Sequence, residues 1–342
     1  IVQKNIQASG WAVESRIYAE DPLRQFLPSS GRLTVYSAPS ELNEQELKVR
    51  NDTGVFEGAE IPIFYDPMIA KLCVWATDRK KAVKFMQEAL DNFLVEGVAS
   101  NIDFLSAVME NKKFKKGDFS TAFISEEFKD GFQYLEVGAK LLNYFGVIAI
   151  CIDDMNNSRW EMKVSSNLDD TLEYLQKVVL IDGKELLFSF TKLSKNEFNF
   201  ILDKNELVKI NWVPGKKILY ALIGDVELKV KIRKKLGAYI FKYRGRRVDI
   251  KVLDREEALL HKYMIKKPQE DGSKFVQSPM PGLLVSLAVS VGDKVSLGQS
   301  LCVVEAMKME NVIRSERNSV VKNLRASVGQ SLAVGDVIIE FE

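Results

Sequence analysis

The spacing of apolar positions changes character three times along the chain. Trp11 to Tyr18 alternates (WAVESRIY), which predicts a strand with one apolar face. Further strands are expected over Arg32 to Tyr36, Ile61 to Tyr65 and Met68 to Trp75, the last apolar enough to be buried. Glu20-Asp21-Pro22, the Pro28–Gly31 stretch and Asp66-Pro67 punctuate them as turns. From Arg79 to Val95 the period lengthens, and Ala82, Phe85, Met86, Ala89, Leu90 and Phe93 fall on one helical face behind a Thr77-Asp78 cap. A second helix is expected to start near Asn101-Ile102-Asp103.

Val137 to Ile152 has a different pattern, VGAKLLNYFGVIAICI. It is long enough for several helical turns and apolar nearly all round, so other elements must enclose it. Gly146 weakens such a helix slightly and allows close packing. Short alternating runs follow: Trp160 to Val164, Lys177 to Ile181, Glu185 to Phe190, Glu197 to Leu202, Leu207 to Trp212, Ile218 to Ile223, Glu227 to Arg233, Ala238 to Tyr243 and Arg247 to Leu253. Asp182-Gly183-Lys184 and Tyr243-Arg244-Gly245-Arg246 are hairpin signals. Evenly spaced hairpins predict an antiparallel barrel or sandwich. An all-apolar helix preceding them predicts a helix inside a barrel. Arg255 to Lys267 reads as a short amphipathic helix, and residues 268–274 as a polar linker.

The last stretch, Phe275 to Glu342, contains a repeat. GLLVSL from Gly282 recurs as SVVKNL from Ser319, an offset of 37 residues that also matches Gly292 to Gly329 and Gly298 to Gly335. Two copies of one strand set predict a small sandwich with quasi-two-fold symmetry. Its Met307-Lys308 hairpin would stand at one tip, opposite the chain termini.

Composition narrows the function. The chain has 342 residues, a length suited to two or three domains, and its net charge of +1 offers no whole-chain case for nucleic acid or membrane. Residues 203–267 are basic, with 18 Lys and Arg against 8 Asp and Glu. Strand alternation sends those charges to the outer face, which is expected to be solvated or to contact another subunit. Cys73, Cys151 and Cys302 lie far apart, as in a reducing compartment. The single histidine, His261, excludes a histidine-rich metal site. The longest fully apolar run, Phe145 to Ile152, is too short to span a bilayer. The sequence starts at Ile1 with no signal-like segment, so it is expected to be a piece of a longer protein.

Two sets of motifs carry a resemblance. GWAVESRIYAEDP…FLPSSGRL, FYDPMIAKL, ALDNFLVEGVASNIDFL and FKKGDFSTAFI resemble, in order and spacing, the carboxy-terminal part of a biotin carboxylase (ATP-grasp) domain. SPMPG…VVEAMKMEN resembles a biotin carboxyl carrier domain. The order of carboxylase, linking barrel and carrier resembles the α subunits of biotin-dependent acyl-CoA carboxylases. The implied organisation is multidomain α+β. Residues 1–125 would be an incomplete carboxylase subdomain, and 126–267 a subunit-docking β-barrel with a central helix. A linker over 268–274 would lead to a flattened biotinyl/lipoyl-type β-sandwich over 275–342.

The resemblance implies that Lys308 is joined to biotin by an amide, within a recognition motif of Glu305, Ala306, Met307 and Met309. Soft methionines on either side would suit contact with a biotin protein ligase. It implies that Arg16 sits beside biotin and steadies the negative charge of the activated ureido oxygen. A guanidinium is always charged and donates in a plane, which suits a developing oxyanion. Asp66 matches another biotin-side position. ATP, Mg2+ and bicarbonate are the family's further requirements. The motifs that hold them precede the quoted ones, so the chain alone is not expected to carboxylate biotin, and no metal site is expected in it. A carboxyltransferase β subunit is the implied partner in a hetero-oligomer. The implied compartment is the mitochondrial matrix in a eukaryote or the cytoplasm in a bacterium. Within the family, the linking region and SPMPG…EAMKM point to the propionyl-CoA branch, with the methylcrotonyl-CoA branch as the alternative. A lipoyl-bearing carrier module is the alternative of another class.

Overall fold

The computed structural model describes residues 2, 8–62, 65–129, 131–157, 175–264, 274–296, 298–306, 309–315 and 317–342. Three separate apolar cores organise them.

The first core lies under a four-stranded antiparallel sheet. Trp11–Tyr18 pairs with Met68–Ala76, which pairs with Leu47–Thr53, and Leu42–Asn43 completes the edge. Alternation holds as the sequence predicts: Val13, Ser15 and Ile17 are buried, while Glu14 and Arg16 face out. The helix Arg79–Asn92 packs on the apolar face, and the Asp78 carboxylate accepts from the Lys81 amide at 2.8 Å to cap it. It ends three residues before Val95. Phe93 turns extended and is fully buried edge-on to Tyr36 at 5.7 Å, and Leu94–Glu96 becomes a strand paired with Val35–Ser37. The expected Arg32 to Tyr36 strand is accordingly two pieces. Gly31–Arg32 pairs with Glu60–Ile61, then the chain changes partner after Leu33: the Leu33 amide still donates to Ala59, and the Thr34 amide donates to Glu96. The expected Ile61 to Tyr65 strand is limited to Glu60–Ile61, with residues 63 and 64 outside the described residues. The second helix is Ile102–Glu110.

Eight antiparallel strands then close into a barrel. They run Leu175–Ile181, Lys184–Lys192, Glu197–Ile201, Asn205–Asn211, Ile218–Ile223, Val226–Lys235, Ala238–Tyr243 and Arg246–Leu253. Each pairs with the next, and the last returns to the first through Ile250 opposite Ile181. Both expected hairpins have positive φ at their two central residues, Asp182 (46°) with Gly183 (83°) and Arg244 (47°) with Gly245 (71°). Such turns match the right-handed twist of the strands they join. The expected strand over Trp160 to Val164 lies outside the described residues.

The helix Ala139–Asn157 fills the barrel, and every residue from Tyr144 to Ile152 is buried. Burial of each Phe, Val or Ile there contributes roughly 1.5–3 kcal/mol. At Gly146 a Cβ would lie 2.4 Å from the Phe188 ring, so glycine lets helix and barrel wall approach. After the barrel, a capping box at Asp254 starts the helix Arg255–His261. This is shorter than the sequence pattern predicts, and residues 265–273, with most of the expected linker, lie outside the described residues.

The terminal sandwich has two four-stranded sheets. One runs Phe275–Gln277, Val337–Phe341, Ser319–Leu324, Lys294–Val295; the other runs Met309–Arg314, Ser300–Ala306, Gly282–Leu287, Ser331–Leu332. A shift of 37 positions, forward for Gly282–Leu287 and Ser300–Ala306 and back for Met309–Arg314 and Ser331–Leu332, carries each strand of one sheet onto its counterpart in the other. The hydrogen bonds repeat too. Gly298 donates to Ser315 and Gly335 to Ser278. The Ser278 hydroxyl donates to the Met280 carbonyl at 2.6 Å, as Ser315 does to Arg317 at 2.6 Å.

The barrel and the first segment share an interface of opposite charges. Lys217 pairs with Glu96 (3.3 Å), Lys242 with Asp103 (2.6 Å) and Arg244 with Asp91 (3.3 Å), while Lys231 donates to the Leu90 carbonyl at 2.8 Å. Gly245 is tight against Ala107, where a Cβ would come within 2.7 Å. Part of the basic barrel face expected to meet water or another subunit therefore meets carboxylates of the same chain, Asp91, Glu96 and Asp103. Among the described residues no helix is long and apolar enough to cross a membrane, and no cluster of potential metal ligands occurs.

Candidate functional site: a carrier hairpin and an open sheet face

In the terminal sandwich the two quoted motifs meet. The strand Ser300–Ala306 pairs with Met309–Arg314, and Ala306 stands opposite Met309. Ala306 is buried; Glu305 and Met309 are exposed. Met307 and Lys308, between those strands, lie outside the described residues. Met280 of SPMPG is buried beneath the pair, and the Asn311 side-chain amide donates to its sulfur at 3.6 Å. Gly282 of the same motif runs against the strand, where a Cβ would sit 2.5 Å from the Glu305 carbonyl oxygen. SPMPG thus supports the base of the hairpin, which explains why the motif and EAMKMEN occur together.

The quasi-two-fold locates the opposite end. Position 312 corresponds to Phe275, and the strand beginning there pairs with Val337–Phe341 near the last residue. Chain entry and exit fill the place that the Ala306 and Met309 ends occupy in the other half.

The second constellation is the open face of the first sheet. Arg16 is exposed there, and its Nε donates to the Glu14 carboxylate at 2.9 Å. Glu14 and Tyr18 stabilise the guanidinium charge, raising the Arg16 pKa. Glu14 is lowered in turn, chiefly by its hydrogen bond from Arg16. Both side chains are exposed and water screens their attraction, so the consequence of the pair is orientation. Cys73, opposite Glu14 on the neighbouring strand, donates to Glu14 at 3.7 Å, and burial raises its thiol pKa.

Asn101 fixes the backbone behind Arg16. Its Nδ2 donates to the Arg16 carbonyl at 3.0 Å, and its Oδ1 accepts from the Tyr18 amide at 2.9 Å. It is buried. Asp66 is exposed just before Met68, which pairs with Tyr18, so it lies at the end of the strand that carries Arg16. Its charge reaches Glu20: burial first, and Asp66 second, push the Glu20 carboxyl up to about 7. Sequence patterns placed Asn101 at a helix start and Glu20 in a turn, and gave neither a role at this site. Asn101 acts across more than 80 residues, and Glu20 belongs to a turn.

Glu20–Asp21 pairs with Leu27–Pro28 in a short hairpin. Its return bears two consecutive non-glycine residues at positive φ, Gln25 (53°) and Phe26 (60°). Phe26 is held edge-on to Phe104 at 4.8 Å, and Leu27 packs against the apolar core of the terminal sandwich. The sandwich thus touches the first segment at the hairpin that carries Glu20.

Comparison with known proteins accounts for most of the chain. Residues 14–126 match the biotin carboxylase C-terminal domain family, 147–267 the propionyl-coenzyme A carboxylase BT domain, and 274–341 the biotin-requiring enzyme domain. The propionyl-CoA carboxylase alpha chain of Ruegeria pomeroyi is 40% identical over 362 residues, covering 100% of this chain and 53% of that protein. The human mitochondrial propionyl-CoA carboxylase alpha chain is 34% identical, covering 99% and 47%. The mouse mitochondrial methylcrotonoyl-CoA carboxylase subunit alpha is 29% identical, covering 99% and 48%. The chain spans about half the length of these curated relatives. A solved biotin carboxylase subunit of pyruvate carboxylase is 36% identical over 40% of this chain and 29% of its own, with a TM-score of 0.36.

Proposed function

We infer that this chain, which carries the three carboxy-terminal segments of a biotin-dependent acyl-CoA carboxylase α subunit, is the biotin-bearing part of a propionyl-CoA carboxylase. The observation that carries this reading is the paired hairpin of Ala306 and Met309, braced by Met280, in one chain with the Arg16 strand.

Lys308 is the biotin attachment site. A biotin protein ligase reads the hairpin through Glu305 and Met309, both exposed, with Met307 completing the motif. In the complete protein, biotin is carboxylated on its ureido nitrogen with ATP, Mg2+ and bicarbonate. Arg16 supplies a fixed positive charge where the ureido oxygen becomes negative. Glu14 aims the guanidinium, and Asn101 holds its strand. Asp66 lines the same end of the sheet. The contact between Leu27 and the sandwich supports a carrier that visits this face. The carrier then delivers CO2 to a carboxyltransferase β subunit, with the barrel as the docking element, and the acyl product is methylmalonyl-CoA. A bacterial cytoplasm or a mitochondrial matrix suits the free thiols Cys73, Cys151 and Cys302.

The test uses the full-length subunit with its carboxyltransferase partner. Arg16→Ala is expected to cut ATP-dependent biotin carboxylation by at least a hundredfold while biotin incorporation stays complete. Unchanged carboxylation removes Arg16 from the mechanism. Faster turnover of methylcrotonyl-CoA than of propionyl-CoA by the wild-type assembly overturns the substrate assignment.

A further inference from the structure

Between the first segment and the barrel lies a cavity of about 680 Å3, a volume within the range of small-molecule sites. It belongs neither to the carrier hairpin nor to the Arg16 face. Its walls carry six cationic side chains: Lys217, Lys231, Arg233, Lys235, Lys242 and Arg247. Carboxylates answer some of them. Glu96 takes Lys217 and Asp103 takes Lys242, while Asp249 is shared by Lys235 (3.3 Å) and Arg247 (3.4 Å). The third acidic wall residue, Asp21, accepts from the Leu23 amide at 3.1 Å.

Two cations are left over, and they are neighbours. Lys231 and Arg233 are alternate residues of the strand Val226–Lys235, so both project from its outer face. Their backbones are therefore roughly 6.5–7 Å apart. Arg233 has no carboxylate within ion-pair distance among the described residues. The Lys231 ammonium has three donors and gives one to the Leu90 carbonyl. Asp91, the acid nearest that carbonyl in sequence, is buried and committed to Arg244. Burial drives the Lys231 pKa down to about 8, with Asp103 and Asp91 opposing, as expected of an ammonium held in a site lacking a full counter-charge.

We propose that this cavity binds a small polyanion carrying phosphoryl groups in tandem. One phosphoryl group would sit on Lys231 in the depth and the next on Arg233 at the mouth. A phosphoryl chain brings fixed multiple charge and acceptor oxygens to both, and Arg matches them bidentately. The apolar wall of Val98, Ile240 and Phe132 beside it leaves room for an attached group. Because one wall is the first segment and the other the barrel, an occupant would tie the two together.

The experiment is calorimetric titration of the 342-residue chain with sodium tripolyphosphate, compared with sulfate at matched ionic strength. Saturable one-to-one binding with a dissociation constant near or below about 100 μM is expected, with far weaker binding of sulfate. Arg233→Glu should weaken it at least tenfold and Arg233→Gln by a smaller factor. Lys234→Glu makes the same charge change on the next residue, which is exposed and outside the cavity, and should stay within about threefold of wild type. ADP binding more tightly than tripolyphosphate assigns a nucleotide; equal affinity assigns the phosphoryl chain alone. Absence of saturable binding at millimolar tripolyphosphate, or equal losses in Arg233→Glu and Lys234→Glu, overturns the proposal.

Discussion

Replacing Gly146 by alanine tests the packing of the helix inside the barrel. In an exposed helix this change stabilises by about 1 kcal/mol, because glycine has more backbone freedom to lose. Here the new methyl carbon would lie 2.4 and 2.6 Å from two carbons of the Phe188 ring. Carbon atoms in ordinary contact stay about 3.5–4.0 Å apart, so the ring must retreat by roughly 1 Å. It has little room to do so: Phe188 is 3% exposed and packs edge-on to Phe200. Overpacking a closed core costs about 1–3 kcal/mol. Set against the helix gain, Gly146→Ala should destabilise the barrel by up to about 2 kcal/mol. The assay is hydrogen–deuterium exchange of barrel-strand peptides in the intact chain, which reads barrel opening apart from the other segments. Phe188→Leu should rescue the alanine variant, with a coupling of at least about 1 kcal/mol in the double-mutant cycle. Slower exchange in Gly146→Ala, or no coupling with Phe188→Leu, would refute the packing argument.

Glu20 should make stability pH-dependent. Its folded pKa, about 7, lies above the ordinary 4.5, so the folded state binds the proton more tightly and stability falls as pH rises between those values. Discounting for its partial exposure, Glu20→Gln should gain about 1 kcal/mol at pH 8 and nothing at pH 4, read by thermal unfolding; equal gains at both pH values would contradict this. Asn101→Ala should cost about 2–3 kcal/mol, because it leaves the Arg16 carbonyl and the Tyr18 amide without their side-chain partner. A loss below about 0.5 kcal/mol in chemical unfolding would show that the strand does not depend on that bridge.

The barrel was legible because each strand states its own alternation and two of its hairpins name their turn residues. The enclosed helix was legible because no face of it is polar. The break at Leu33 was not, since a change of hydrogen-bonding partner leaves the apolar pattern untouched. Nor was the end of the first helix, because Phe93 suits a helical face and a strand end equally well. For the basic barrel face, alternation correctly sends Lys231 and Lys242 outward. It does not say whether water or Asp103 waits there. The carrier motif could be read from adjacent residues. Asn101 and Glu20 act through contacts that only the fold creates, so local spacing carries no sign of them.

The central claim is that Lys308 carries biotin, and intact-mass measurement tests it most directly. The chain, co-expressed with a biotin protein ligase, should gain one biotin-sized increment that Lys308→Ala abolishes and Lys322→Ala leaves in place. No increment, a lipoyl-sized one, or one that survives Lys308→Ala would contradict the account.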